Sequence, residues 1–401
     1  MERLKTVYTQ ICEHLEKGLL PFWAKRSIDD EFGGYFTYFD NNGEPSGITD
    51  KYLVQQTRMI WSFSAAYNEL KNPEFLKMAR IGYNFFIKHF WDAQNGGWYW
   101  SVNREGEVLN KQKVVYGHSF AIYALSEFAI ASGEIEPLQY AEITFDILHL
   151  CAADIKNGGY IENFTADWIP EDGQFSGEIK TLNTHMHLME AYTTLAKVSK
   201  KTYHIRRLSE ITDLILRKMV DYDNDCGFNR FDEMFNTYPD KINGEEVDVT
   251  SYGHNVELAW LLNKTAEVLG HEPFTIIAKM MCDNALDYGY DYENGGVYFT
   301  GTNEGVLLSD KKSWWQNAEA LIGFLDCYQL TGEQKYLDVF VQIWDFSRKF
   351  LISPLGEWYL DVKKDGSTGN QELGQNWKTL YHTGRAAIEC KQRLEKILEI
   401  K

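Results

Sequence analysis

Two hydrophobic patterns alternate along the chain. In stretches such as 75–91 and 336–351, apolar residues recur at helical spacing (Phe75, Met78, Ala79, Gly82 and Phe86 in the first) beside a charged face, which predicts amphipathic helices. A second set, at 55–67, 116–128, 184–196, 252–262, 314–325 and 381–394, is rich in Ala, Leu and aromatics and poor in Lys and Glu, which predicts buried helices. Between the two kinds lies a glycine turn followed by an alternating run such as Trp98-Tyr99-Trp100-Ser101-Val102, which suits a short strand or hairpin arm.

The glycine turn repeats six times. Its last glycine falls at Gly34, Gly97, Gly159, Gly227, Gly296 and Gly356, at intervals of 60 to 69 residues, so the copies fill nearly all 401 positions. Six pairs of one peripheral and one buried helix can form an open solenoid or a closed ring. These units are long, few and aromatic, which favours the ring. The expected fold is an all-α (α/α)6 barrel, six inner and six outer helices with short β-hairpins in the mouth loops, and residues 1–401 forming one catalytic domain.

Composition narrows the function. With 40 Lys plus Arg against 58 Asp plus Glu, the formal charge of −18 disfavours phosphate backbones and anionic membranes. No apolar run approaches membrane-spanning length, and the first twenty residues read as an amphipathic helix rather than a signal peptide. The six cysteines show no CxxC pair, so reduced thiols in a cytoplasm are expected. Aromatics reach 15% of the chain; most are expected to pack between helices, and a few to stack on sugar rings.

All inner helices of such a barrel run the same way, so their first turns meet at one mouth. That shared direction is expected to gather Arg58, His118, His185, His254, Trp315 and His382, with Tyr116 and Asn183 from the same turns. His14, His89, His149, His204 and His271 fall outside it. His185 and His187 lie two apart and cannot both point inward; the phase of the other repeats favours His185 and leaves His187 a structural duty. Glu257 lies three residues after His254, and Glu319 four after Trp315, so each shares a face with its partner. A carboxylate there can fix an imidazole tautomer. Carboxylates and histidines together raise the question of a metal, but a permanent cation, Arg58, in the same pocket argues against one. Trp315, Trp377, Trp260 and Trp98 are candidate sugar-stacking surfaces, and the 231–251 loop is a candidate lid.

The segments Asn183–Tyr192, Tyr252–Trp260, Lys312–Ala320 and Trp377–Arg385 resemble the cellobiose 2-epimerase branch of the N-acylglucosamine 2-epimerase family, over essentially the whole chain. The resemblance implies an (α/α)6 barrel and a cofactor-free, metal-free epimerase that inverts C2 of the reducing-end glucose of β-1,4-linked disaccharides, cellobiose and also lactose, in a monomer or weak homodimer. It implies His254 and His382 as acid–base pair, Arg58 as enediolate stabiliser, and Glu257 and Glu319 as assisting carboxylates. Asn183 and His185 would face the reducing-end sugar, Trp315 and Trp377 would hold the disaccharide, Trp260 would line the pocket, and Tyr116 and His118 join the substrate-binding group. Asn255, Leu380 and Thr383 depart from the family pattern and bear on substrate preference. Three rival readings remain: a mannose-type aldose–ketose isomerase on the same scaffold, an inverting glycoside hydrolase using Glu257 and Glu319, and a sugar-binding protein.

Overall fold

The computed structural model describes residues 2–171 and 179–400. The inner helices are α3 (Leu53–Leu70), α5 (Val115–Ser132), α7 (Leu182–Ser199), α9 (Tyr252–Leu269), α11 (Trp314–Thr331) and α13 (Leu380–Leu398). Each packs on the next, and α13 returns to α3, closing the ring. The outer layer is α1 (Glu2–Glu13) continued by α2 (Leu20–Arg26), then α4 (Pro73–Phe90), α6 (Ile135–Ile147), α8 (Thr202–Lys218), α10 (Thr275–Asn284) and α12 (Gln334–Phe346). The chain is an (α/α)6 barrel, and its buried apolar residues join in one continuous cluster.

The inner helices outrun their apolar pattern by about a turn. Polar residues such as Asn68 and Glu69 end the pattern before the helix ends, and the stops are left-handed residues: Lys71, Gly133, Lys200, Gly270, Gly332 and Glu399.

At the mouth the repeats interlock. The strand entering an inner helix pairs with the hairpin of the following repeat, as in Lys51–Tyr52 with Ser101–Val102 and Lys312–Ser313 with Asp361–Val362. An isolated bridge from Phe39 to Gly374 joins the last repeat to the first. The 231–251 stretch, the candidate lid, carries a two-stranded hairpin, Asp240–Ile242 against Glu245–Val247.

Two buried devices recur. In the first, a lysine just before the inner helix meets the acid of the glycine turn: Lys51–Asp29 at 3.0 Å, Lys113–Asp92 at 2.8 Å, Lys180–Asp154 at 2.7 Å, Lys312–Asp291 at 2.7 Å and Lys378–Glu357 at 2.9 Å. Against the raising effect of burial, its lysine holds Asp92 down at about 2. In the second, the fourth residue of the inner helix accepts a backbone N–H of that turn. Gln56 takes it from Tyr35, His118 from Trp98, His185 from Tyr160, Asn255 from Gly227 and Asn317 from Val297, at 2.9 to 3.1 Å.

The clasp needs glycine. Gly97 sits at φ +75°, and a Cβ there would lie 2.7 Å from His118 Nε2. Gly97→Ala is expected to cost about 1–3 kcal/mol from the left-handed backbone alone, read as a lower midpoint in urea.

A buried acid makes stability fall with pH. Glu162 Oε1 accepts the Thr181 N–H at 2.6 Å, its Oε2 has no partner, and burial pushes its carboxyl up to about 8. The folded state therefore binds the proton more tightly than the unfolded chain, and stability drops as pH rises from the ordinary carboxylate range through 8. Glu162→Gln should raise the melting temperature more at pH 8.5 than at pH 5; an equal shift at both would show that Glu162 does not titrate there.

Candidate active site

Three positions of each inner helix face the bore: the second, sixth and ninth, spaced i, i+4, i+7. They supply Arg58 and Trp61 from α3, Tyr116, Phe120 and Tyr123 from α5, and Asn183, His187 and Glu190 from α7. The remaining helices supply Glu257 and Trp260 (α9), Trp315 and Glu319 (α11), and Tyr381 and Arg385 (α13). His254 and His382, both third in their helices, flank this stripe.

Arg385 is the electrostatic centre. It is fully buried and donates to Glu190, Glu257 and the Tyr381 hydroxyl, and to Glu319 Oε1 at 2.7 Å. Glu319 Oε1 also meets His382 Nδ1 at 2.7 Å, and its Oε2 accepts the Trp260 indole N–H at 3.1 Å. Glu190 meets His187 Nδ1 at 2.8 Å and accepts the Tyr381 hydroxyl at 2.9 Å. Three carboxylates thus crowd one guanidinium, and they cannot all ionise cheaply. Burial and then the charge of Glu319 push Glu257 up to about 7, and its Oε2 is buried without a partner. Burial tends to raise Glu190 too, but Arg385, His187 and Tyr381 outweigh it and hold its carboxyl low. Burial raises Glu319 as well, with Arg385 pulling the other way, so a proton near neutrality rests on the Glu257–Glu319 pair and not on Glu190.

Arg58 stands beside this network on α3, the helix next to α13 in the ring, 4.9 Å from the Tyr381 ring. It donates to the Trp377 carbonyl at 2.7 Å and the Tyr116 hydroxyl at 2.9 Å, and lies over the Phe120 ring at 4.4 Å. Its Nε is buried without a partner. The Asn183 amide is in hydrogen-bond range of Tyr116.

Trp315 lies between the two histidines, with ring centroids 4.8 Å from His254 and 5.8 Å from His382. His254 Nδ1 is buried without a partner. Burial lowers His254 to about 3, and burial with Arg58 and Arg385 drives His382 well below its usual range. Both rings are neutral at neutral pH. Trp377 stands 6.1 Å from Tyr116 and 6.4 Å from Trp100.

The structure thus gathers Arg58, Tyr116, Asn183, His254, Glu257, Trp260, Trp315, Glu319, Trp377 and His382 at one end of the barrel. It does not bring His118 or His185 there. Both are fourth in their helices, in the glycine clasp, with Nε2 on a backbone N–H and Nδ1 2.8 Å from Val114 O or Thr181 O. His187, expected to be structural, faces the bore instead. Trp98, a candidate sugar surface, is wholly buried and donates to Thr144 of an outer helix. Nothing in the sequence pattern singles out Glu190, Tyr381 or Arg385, although Arg385, like His187, shares the helical phase of Arg58, Glu257 and Glu319.

Glu257, Glu319 and His382 offer three ligand atoms within 4.8 Å of one another, a spacing a metal could use. Arg385 already donates to both carboxylates, so the donor set suits an arginine-centred network better than a cation. A cavity of about 670 Å³ opens at the other end of the barrel and touches the network through Glu190 and Trp260.

The family model for N-acylglucosamine 2-epimerase matches residues 34–386. A cellobiose 2-epimerase of Bacteroides fragilis is 32% identical over 390 residues, covering 94% of this chain and 96% of that protein. The solved cellobiose 2-epimerase of Bacillus thermoamylovorans superposes with a TM-score of 0.89 at 29% identity, over 97% of this chain and 100% of that one. That of Spirochaeta thermophila does so with 0.88 at 31% identity, over 98% of each.

Proposed function

Because this chain belongs to the N-acylglucosamine 2-epimerase family and is a carbohydrate epimerase, we propose that it inverts C2 of the reducing-end glucose of β-1,4-linked disaccharides, converting cellobiose to glucosyl-mannose and also acting on lactose. The observation that carries this reading is a pair of imidazoles, His254 and His382, facing one bore on either side of Trp315, with Arg58 in the same bore over the Tyr381 ring.

Epimerisation at C2 needs ring opening, removal of the C2 proton beside the aldehyde, and reprotonation on the other face. Neutral imidazole is the form that accepts a proton, and burial keeps both histidines in it. Glu319 on Nδ1 fixes the His382 tautomer, so its Nε2 is the atom that exchanges protons with the sugar, and Glu319 stabilises the imidazolium when it forms. The enediolate needs a fixed positive partner in a site shielded from water, and Arg58 supplies it without changing protonation state. Glu257, poised near neutrality, accepts or donates to a sugar hydroxyl as its proton comes and goes. Trp315 and Trp377 offer ring faces to the sugar C–H surfaces, and Asn183 and His187 offer polar groups on the same wall. The continuous core supports reading the chain as one catalytic domain.

Incubation with cellobiose followed by product analysis tests this. Glucosyl-mannose is expected. A ketose-ended disaccharide would make the enzyme an isomerase, free glucose a hydrolase, and unchanged cellobiose would contradict catalysis on this substrate.

A further inference from the structure

The bore stripe does not stop at the catalytic network. The same helical spacing runs on through the thirteenth and sixteenth positions of the inner helices, and there it lines the cavity of about 670 Å³ at the other end of the barrel. Ninth-position side chains, Trp61, Tyr123, Glu190 and Trp260, form its floor. The walls are polar: Glu127, Thr194, Lys264 and Gln392 come from the thirteenth position, Asn68 and Lys197 from the sixteenth. The α11 sector is closed instead, because its thirteenth residue, Asp326, accepts from Arg393 at 2.9 Å and from Asn263 at 2.7 Å. A space of this size, concave and part apolar, falls in the range of small-molecule sites.

The lining is balanced in charge. Lys264 meets Glu389 at 3.0 Å. Glu127 and Glu267 on one side, and Lys197 and Lys200 on the other, have no ion-pair partner among the described residues. The cavity therefore asks for no net charge. It does ask for hydrogen bonds. Asn68 Nδ2 donates to Glu127 Oε1 at 2.6 Å, which leaves Glu127 Oε2 and Asn68 Oδ1 unbonded. Gln392 donates to Glu69 but its Oε1 accepts nothing, and the Thr194 hydroxyl has no protein partner. None of these four atoms is sealed off, since each keeps accessible surface on a side chain that lines the cavity. Three are acceptors and the fourth is a hydroxyl, so their complement is a molecule with several O–H donors. The floor supplies the flat apolar part: Trp61 stacks on Tyr123 with ring centroids 5.1 Å apart, and both line the cavity.

We propose that this cavity is a second binding site, for an uncharged polyhydroxylated ring of the monosaccharide class, with Glu127, Asn68 and Gln392 accepting its hydroxyls above the Trp61–Tyr123 floor. Its occupant lies directly behind the catalytic network. Trp260, on the floor, donates to Glu319 Oε2 at 3.1 Å, and Glu319 Oε1 meets His382 Nδ1 at 2.7 Å. Glu190, also on the floor, meets His187 at 2.8 Å. The two ends of the bore thus share one layer of side chains.

Binding at this site is read without turnover, so its failure and that of the epimerase reading are separate results. The test is fluorine NMR of the full-length chain labelled with fluorotryptophan, with the Trp61 line assigned through Trp61→Phe. The protein is titrated with D-glucose and, separately, with n-butylamine. Glucose should shift the Trp61 line saturably, and n-butylamine should leave it in place. Glu127→Ala should raise the glucose midpoint by at least about tenfold, the worth of a hydrogen bond to a charged group. Thr194→Trp, which fills the space, should abolish the shift while leaving Trp315 and the mouth untouched. No saturable shift, a shift unchanged in both variants, which would place the sugar at the mouth, or a response to n-butylamine as strong as that to glucose would overturn the proposal.

Discussion

His382→Ala is expected to lower kcat by at least two to four orders of magnitude while leaving the melting temperature within a few degrees, and His254→Ala to do the same. The two losses have different structural consequences. Removing His382 leaves Glu319 still held by Arg385 at 2.7 Å and by Trp260 at 3.1 Å, so the network survives. Removing His254 deletes a ring whose Nδ1 has no partner, so no buried polar group is orphaned. Stopped assays with cellobiose, read beside thermal unfolding, check both. A variant with near-normal kcat would remove that histidine from the acid–base pair. His118→Ala should behave oppositely: it removes the acceptor of the Trp98 N–H and should cost stability while sparing kcat in the protein that remains folded.

Arg385→Met carries the second large effect. The guanidinium is the shared counter-ion of Glu190, Glu257 and Glu319, all buried. Breaking a buried ion pair by removing one partner costs about 3–5 kcal/mol, because the remaining charge is left unpaired. Here three acids lose a partner, so at least that cost is expected in urea denaturation at pH 7.5. The loss should shrink as pH falls, because protonated carboxyls no longer need the cation. Adding Glu190→Gln to Arg385→Met should restore part of the stability, since Glu190 is the acid the guanidinium holds ionised and the change removes that uncompensated charge, but not the activity. Loss of activity with unchanged stability would mean that the three acids are already protonated in the wild type at this pH.

The sequence exposes the barrel because the glycine turn and its aromatics recur at near-constant intervals and each copy is followed by a helix without a polar face. It exposes Arg58, Glu257 and Glu319 through local spacing. It misleads at His118 and His185 because one residue along a helix is about 100° of rotation. Fourth-position residues clasp the turn behind the helix; third- and sixth-position residues reach the bore. His254 and His382 are third, His118 and His185 fourth, and a shared motif of polar first turns hides the difference. Asn255 and Thr383, read as departures bearing on substrate, occupy the same clasp positions. Arg385 stands inside a recognised segment, but its role depends on acids from α7, α9 and α11, between 66 and 195 residues away in sequence. No local pattern contains that information.

The most direct test of the central claim, proton transfer at C2 through an enediolate, is incubation with cellobiose in D₂O followed by NMR of the reducing-end sugar. The account predicts a mannose-ended product carrying deuterium at C2, no deuterium at C1 or C3, and no exchange with His382→Ala. A product formed without deuterium at C2 under full turnover, or exchange that persists undiminished in His382→Ala, would contradict it.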